Sequence, residues 1–207
     1  MSVEVNLPII LLASLIVAAS PGPATLAIAG TAMRSGRKQS LALASGITTG
    51  SLFWSCAAAL GLGAVMLTHA WVLEIIRYCG AGYLMFLALK SARSAMSRKE
   101  IQPRSVQGSQ RALFGKGLAL HLTNPKAILF FGSLYAVGIP AGASPQQLLL
   151  VIVAMAVQNF FIFHGYALIF SLPHVTGGYL KLRRWFEGAF ALGFGLAGVK
   201  ILTARLG

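Results

Sequence analysis

Two short segments join helix breakers to groups that could hold a charged ligand: Ser20-Pro21-Gly22-Pro23 with the following Ala24-Thr25, and Thr123-Asn124-Pro125-Lys126. A proline inside a helix removes one N–H and clashes with the carbonyl four residues earlier, so backbone polar groups are set free. At Pro21 and Pro23 two donors vanish, and carbonyls near Val17 to Ala19 lose their partners. The helix that resumes there presents the N–H groups of Ala24, Thr25 and Leu26 and the positive end of its dipole, which together favour an anion. At Asn124-Pro125 the same device is joined by Lys126. A cation at a helix N-terminus is locally unfavourable, and a charge in mid-membrane costs at least ~2.5 kcal/mol. An anionic partner offsets both penalties. The chain has no Asp, and its acids, Glu4, Glu74, Glu100 and Glu187, lie near the ends of apolar stretches. The expected partner is therefore the carboxylate of a ligand, held by Lys126 and the helix N-termini, with freed carbonyls taking an ammonium group.

Other polar residues read less sharply. A proline in a membrane helix is more often a plain kink, but two prolines flanking Gly22, mirrored by Asn-Pro-Lys, favour a site. Lys126 could instead be deprotonated or reach an interface. Gln158 and Asn159 could donate to a ligand or join two helices, and the second use is the commoner one. His121 and His164 could carry a coupling proton, although a neutral, hydrogen-bonded core histidine is the simpler reading. Gly46 and Gly50 have the spacing of close helix packing. Glu74 and Arg77, three residues apart, suit a local ion pair. Cys56 and Cys79 form no CxxC, so metal or redox chemistry has little support. Gly193-Phe194-Gly195-Leu196-Ala197-Gly198 is formally GxGxxG, but it sits in an apolar helix near the chain end, without the strand and distal acid a dinucleotide site needs. No metal ligand set, cofactor motif or catalytic arrangement emerges.

The elements that must position these groups follow from composition. Of 207 residues, 57% are hydrophobic and 10% charged, against roughly 25% charged in globular domains. Stretches 7–33, 39–73 and 127–180 carry no charge at all. A helix of about 20 apolar residues crosses the hydrocarbon core, so the chain reads as an all-α polytopic membrane protein. Six transmembrane helices are expected at about 7–31, 41–67, 71–89, 112–138, 147–170 and 185–203. Continuous rather than alternating hydrophobicity argues against a β-barrel. Ala27-Ile28-Ala29 resembles a signal cleavage site, but the stretch is too long and no cation precedes it, so it is taken as the first span.

Thirteen of the seventeen Lys and Arg fall in alternate loops: Arg34, Arg37 and Lys38; Lys90 to Lys116; and Lys181, Arg183 and Arg184. The positive-inside rule makes loops one, three and five cytoplasmic. Those cations explain the net charge of +13, so no nucleic-acid partner is required. Pro21 and Pro125 occupy matching places, each in the first helix of a three-helix half. Halves with an odd number of spans are copied upside down, and paired interruptions in inverted repeats point to a substrate site. The chain is thus expected to be one transmembrane domain, 1–207, built of repeat one (about 1–90), a basic linker (about 91–110) and repeat two (about 111–207), with helices one and four broken at Pro.

Several segments, taken together and in order, resemble the LysE/RhtB family of amino-acid exporters. They are Ser20-Pro21-Gly22-Pro23, Ser35-Gly36-Arg37, Gly46-Ile47-Thr48-Thr49-Gly50, Gly80-Ala81-Gly82-Tyr83-Leu84 and Asn124-Pro125-Lys126-Ala127. The resemblance runs from about residue 5 to the C-terminus. It implies a six-helix permease of the bacterial inner membrane that exports small amino acids or close derivatives, driven by the proton gradient. The family pattern has an Asp just after the second glycine of span two. Ser51 stands there in this chain, so a carboxylate that could bind an amine or carry a proton is missing. The expected partners are a zwitterionic amino acid, neutral rather than basic given the apolar lining, the lipid bilayer and possible second copies of the chain in a homodimer. A membrane-embedded assembly subunit or enzyme is the alternative. The scarcity of acids in the spans disfavours an enzyme, and a lysine beside a helix break disfavours a purely structural subunit.

Overall fold

The computed structural model describes residues 5–68, 70–97, 105–140 and 142–203. The side chains of Glu74 and Arg77, like the residues Glu4, His69, Arg98, Lys99, Glu100 and Arg104, lie outside that description. The described residues form eight helices and no strand: α1 (Leu7–Ala19), α2 (Pro23–Ser35), α3 (Arg37–Thr68), α4 (Ala70–Met96), α5 (Gln110–Leu122), α6 (Pro125–Gly138), α7 (Pro145–Ile169) and α8 (Pro173–Thr203). Arg37–Gly61 and Pro145–Ile169 are each long and apolar enough to cross a membrane, and α1 with α2 qualifies if the bent pair counts as one span. Large apolar side chains face outward along the helices, among them Leu12, Leu60, Leu149, Phe161, Leu192 and Leu196. A water-soluble fold would bury such surface; a bilayer accepts it.

Local sequence fixes most boundaries. Asn6 and Ser109 cap α1 and α5 by accepting the N–H groups of Ile9 and Ala112. Ser144 and Gln147 form a reciprocal capping box at the start of α7, with Pro145 in the first turn, where its missing N–H has no consequence. Gly36 alone separates α2 from α3, at φ +85°, a left-handed backbone that glycine adopts without penalty.

Two expectations need correction. The sixth helix does not start at 185: α8 begins at Pro173, so the fifth basic cluster, Lys181 to Arg184, lies in a helix rather than a loop. Charge was read as a break, yet Lys and Arg are good helix formers and can extend a helix beyond hydrocarbon. Likewise α4 continues to Met96, into the stretch expected to be linker.

Packing is dominated by α3 against α5 and α7, and by α4 against α8. Helices from the first half of the chain therefore pack mainly on helices from the second. Gly46 and Gly117 mark the α3/α5 crossing: a Cβ on Gly46 would stand 2.0 Å from the Phe114 carbonyl oxygen, and one on Gly117 would stand 2.3 Å from that of Leu43. One apolar core gathers Ile10, Val17, Tyr135, Met155 and Phe194, and a second gathers Ile28, Leu43, Ile47, Leu113 and Phe163. The two helix breaks lie between these cores.

Candidate functional site

The first break begins where Pro21 pushes Ser20 out of the helical region, to φ −71° and ψ 146°. Gly22 is fully extended, and Pro23 opens α2, bent 53° from α1. Thr25 folds back over the gap: its hydroxyl accepts the Gly22 N–H at 3.0 Å and lies 3.3 Å from the Ser20 and Gly22 carbonyl oxygens. The carbonyls expected to be free for an ammonium group are largely taken. Ser20 Oγ donates to Val17 O at 2.8 Å, Tyr166 OH from α7 donates to Ala19 O at 2.6 Å, and Ser20 O accepts Lys126 Nζ at 3.1 Å. Backbone groups in hydrocarbon must be satisfied internally, and the carbonyls of this break are met by its own Ser20 and Thr25 together with Tyr166 of α7 and Lys126 of α6. Tyr166→Phe should therefore lower stability by about 1–2 kcal/mol, because a half-buried carbonyl loses its donor. An unchanged thermal midpoint in detergent would show that water replaces it.

The second break behaves differently. Asn124 Oδ1 accepts the Lys126 N–H at 3.1 Å, and Asn124 O accepts those of Ala127 and Ile128 at 2.9 and 3.1 Å. With Pro125 donating nothing, the first turn of α6 is self-capped. In α2 the Leu26 N–H is used by Gly22 O at 2.9 Å, which leaves Ala24 and Thr25, in a first turn where no intrahelical acceptor exists. The symmetry expected between the two N-termini is thus broken: the donors without a partner among the described residues sit on α2, and the cation sits on α6.

Lys126 joins the breaks. Its side chain, 9% exposed, crosses from α6 to α1, donates to Ser20 O and also meets Ser20 Oγ. Its ammonium lies 5.7 Å from the centroid of the Phe194 ring. Gly22 leaves the space it needs, since a Cβ there would stand 3.3 Å from both Lys126 Cδ and Nζ.

Two cavities share Gly22, Asn124 and Lys126 as walls. The smaller, about 40 Å³, is also lined by Ala24, Thr25, Ser51, His121 and Asn159. Asn159 Nδ2 donates to Ser51 Oγ at 2.7 Å. Among the described residues, Asn159 Oδ1 and both ring nitrogens of His121 are buried without a partner, an arrangement that buried polar groups rarely keep unless something polar visits. The larger cavity, about 620 Å³, runs past Pro21, Pro23 and Pro125 towards Lys90, Ser91, Ser94 and Glu187.

Of the residues singled out from sequence, Pro21, Gly22, Pro23, Ala24, Thr25, Ser51, His121, Asn124, Pro125, Lys126 and Asn159 line one or both cavities. Gln158 and His164 do not. Gln158 donates to Leu11 O at 2.9 Å, while His164 stacks on Phe160 and lies 3.1 Å from Ser45 Oγ. Gly46 and Gly50 sit in helix crossings; a Cβ on Gly50 would stand 2.9 Å from His121 Cβ. The sequence reading missed Tyr166, Phe194 and Glu187. Seven-residue spacing between Glu187 and Phe194 was the available signal for the last two.

Interrupted helices that meet at a buried cation, inside a bundle with an apolar exterior, define a membrane translocator. The chain belongs to the LysE type translocator family, which it matches over residues 15–205. It is 32% identical over 185 residues to the "Threonine efflux protein" of Salmonella typhi, covering 86% of this chain and 89% of the relative. The protein of the same name from Escherichia coli (strain K12) is 30% identical over 183 residues, with 86% and 89% covered. The "Leucine efflux protein" of Enterobacter sp. (strain 638) is 32% identical over 188 residues, with 90% and 87% covered. No solved structure matches significantly.

Proposed function

We propose that this protein exports a small neutral amino acid across the bacterial inner membrane, coupled to the proton gradient. The observation that carries the reading is the convergence of both helix breaks on Lys126, beside the unused Ala24 and Thr25 donors of α2. A substrate carboxylate replaces Ser20 on the Lys126 ammonium and takes those donors, at a helix N-terminus that favours negative charge. Relatives named for threonine and leucine efflux support a neutral substrate.

Six spans accommodate the eight helices: α1 with α2, α3, α4, α5 with α6, α7 and α8, as two inverted three-helix repeats. With the basic loops in the cytoplasm, the 620 Å³ cavity faces the cytoplasm and is of ligand size. The 40 Å³ cavity beyond Lys126 has room for about one water. This is the form expected of an inward-facing state, from which alternating access would widen the smaller cavity and close the larger. His121, whose ring nitrogens have no partner among the described residues, lines the smaller cavity and is the candidate for the coupling proton.

Uptake of a radiolabelled amino-acid panel into inverted membrane vesicles, with and without a proton gradient, tests the reading. Gradient-stimulated accumulation of a neutral amino acid is expected. Uptake equal to that of vesicles lacking the protein, across the whole panel, would overturn it in favour of an assembly subunit.

A further inference from the structure

Glu187 is a buried carboxylate that the proposed translocation mechanism does not use. It lies on α8 in the wall of the 620 Å³ cavity and is 4% exposed. Ser94 Oγ donates to it at 3.0 Å, and among the described residues no basic side chain closes an ion pair on it. A carboxylate offers about four acceptor positions, so one hydrogen bond leaves most of its capacity unused. Lys90 and Phe86, in the same wall, are exposed and mark where the cavity opens. At its inner end stands Lys126, beside Phe194. Phe194 is seven residues beyond Glu187, hence on the same face of α8 and about 10 Å along its axis.

The cavity therefore presents one buried carboxylate towards its mouth and one buried cation at its inner end, with the Lys90 ammonium exposed and solvated at the opening. A channel for anions would be opposed by Glu187, and one for purely apolar molecules would leave both charges uncompensated at considerable cost. A ligand bearing both an ammonium and a carboxylate answers both groups. We propose that Glu187 is an ammonium-binding subsite that selects amine-bearing substrates in this vestibule, before their carboxylate reaches Lys126. This rests on the export reading above.

A purely structural use competes with it. The Ser94–Glu187 bond, with Arg184 Nε donating to Ala95 O at 2.8 Å, also ties α8 to α4. The two uses separate on chemistry, because a structural tie is indifferent to whether the ligand has an amine. The probes are radiolabelled leucine or threonine, whichever wild-type inverted vesicles accumulate, and the matching 2-hydroxy acid as competitor. Glu187→Gln should raise KM for the amino acid at least tenfold with Vmax within twofold, and leave half-inhibition by the hydroxy acid within twofold of wild type. An unchanged KM, or equal losses for both compounds, overturns the proposal. If Glu187→Gln fails to accumulate in membranes, Ser94→Ala reads the same comparison. It keeps the charge but frees its orientation, and a selective loss for the amine-bearing ligand supports the subsite while a uniform one refutes it. Failure of the export reading is visible separately, as wild-type vesicles that accumulate no amino acid.

Discussion

Lys126→Gln should lower Vmax/KM for amino-acid transport at least about 100-fold while the protein still inserts and stays monodisperse. The first half of this expectation is electrostatic. A hydrogen bond to a charged group contributes about 1.5–3 kcal/mol, and each 1.4 kcal/mol is tenfold; for a lysine buried as deeply as Lys126 the upper end applies. The second half is structural. Ser20 O, one of the two acceptors of Lys126, also lies 3.3 Å from Thr25 Oγ1, so the break keeps a polar closure when the ammonium is gone. Lys126→Arg should not rescue. The space beside Gly22 is already tight at 3.3 Å from Lys126 Cδ and Nζ, and a guanidinium is a larger, planar group. Normal transport by Lys126→Gln in proteoliposomes, at matched protein amount, would remove the lysine from the binding role.

How far the site was legible follows from the physics of each residue. Proline acts locally, so both breaks can be read from the chain, as can the first-turn donors of Ala24 and Thr25. Leu26 does not join them because Gly22 is the N-cap and its carbonyl takes the first i→i−4 bond, and the sequence alone does not say which residue is the cap. Freed carbonyls could be counted but their partners could not: Tyr166 reaches Ala19 from a helix more than a hundred residues away. Asn124 was recognised as a polar neighbour of Lys126, yet its capping of the Lys126 N–H makes α6 a poor anion site, which only backbone geometry reveals. From sequence alone Glu187 looks like a span-end acid, because the basic run Lys181 to Arg184 has the composition of a loop. Once α8 begins at Pro173 the same residue falls well inside a helix, against the vestibule. Spans were easier than boundaries throughout, since hydrophobic length is a property of composition, whereas where a helix stops depends on caps such as Asn6, Ser109 and Ser144.

The α3/α5 crossing is the closest helix approach marked by the glycines of α3 and α5. Gly46→Ala should prevent accumulation of folded protein, or lower its thermal midpoint in detergent far below wild type. The added methyl would lie 2.0 Å from Phe114 O and 2.9 Å from Leu118 N. Both are backbone atoms of α5, so no rotamer change relieves the clash and the helices must separate. Overpacking ordinarily costs about 1–3 kcal/mol, and backbone against backbone lies at or beyond the top of that range. Gly117→Ala, with its Cβ 2.3 Å from Leu43 O, should fail in the same way from the other side of the crossing. Gly61→Ala is the control: it lies on the same helix with nothing within 4 Å, and alanine there should gain up to about 1 kcal/mol from helix propensity. Gly50→Ala is the informative intermediate. Its methyl meets the His121 side chain, at 2.9 Å from Cβ and 3.4 Å from Cδ2. That Cβ moves only with its backbone, so α5 must give by a few tenths of an ångström, a smaller shift than Gly46→Ala demands, and the protein should fold with lowered stability and impaired transport. Because α3 and α5 belong to opposite halves of the chain, this glycine contact ties the halves together, and under the alternating access proposed above it is the expected pivot. A Gly46→Ala protein as stable as Gly61→Ala would mean that the two helices do not approach this closely, and the pivot would have to be sought between α4 and α8.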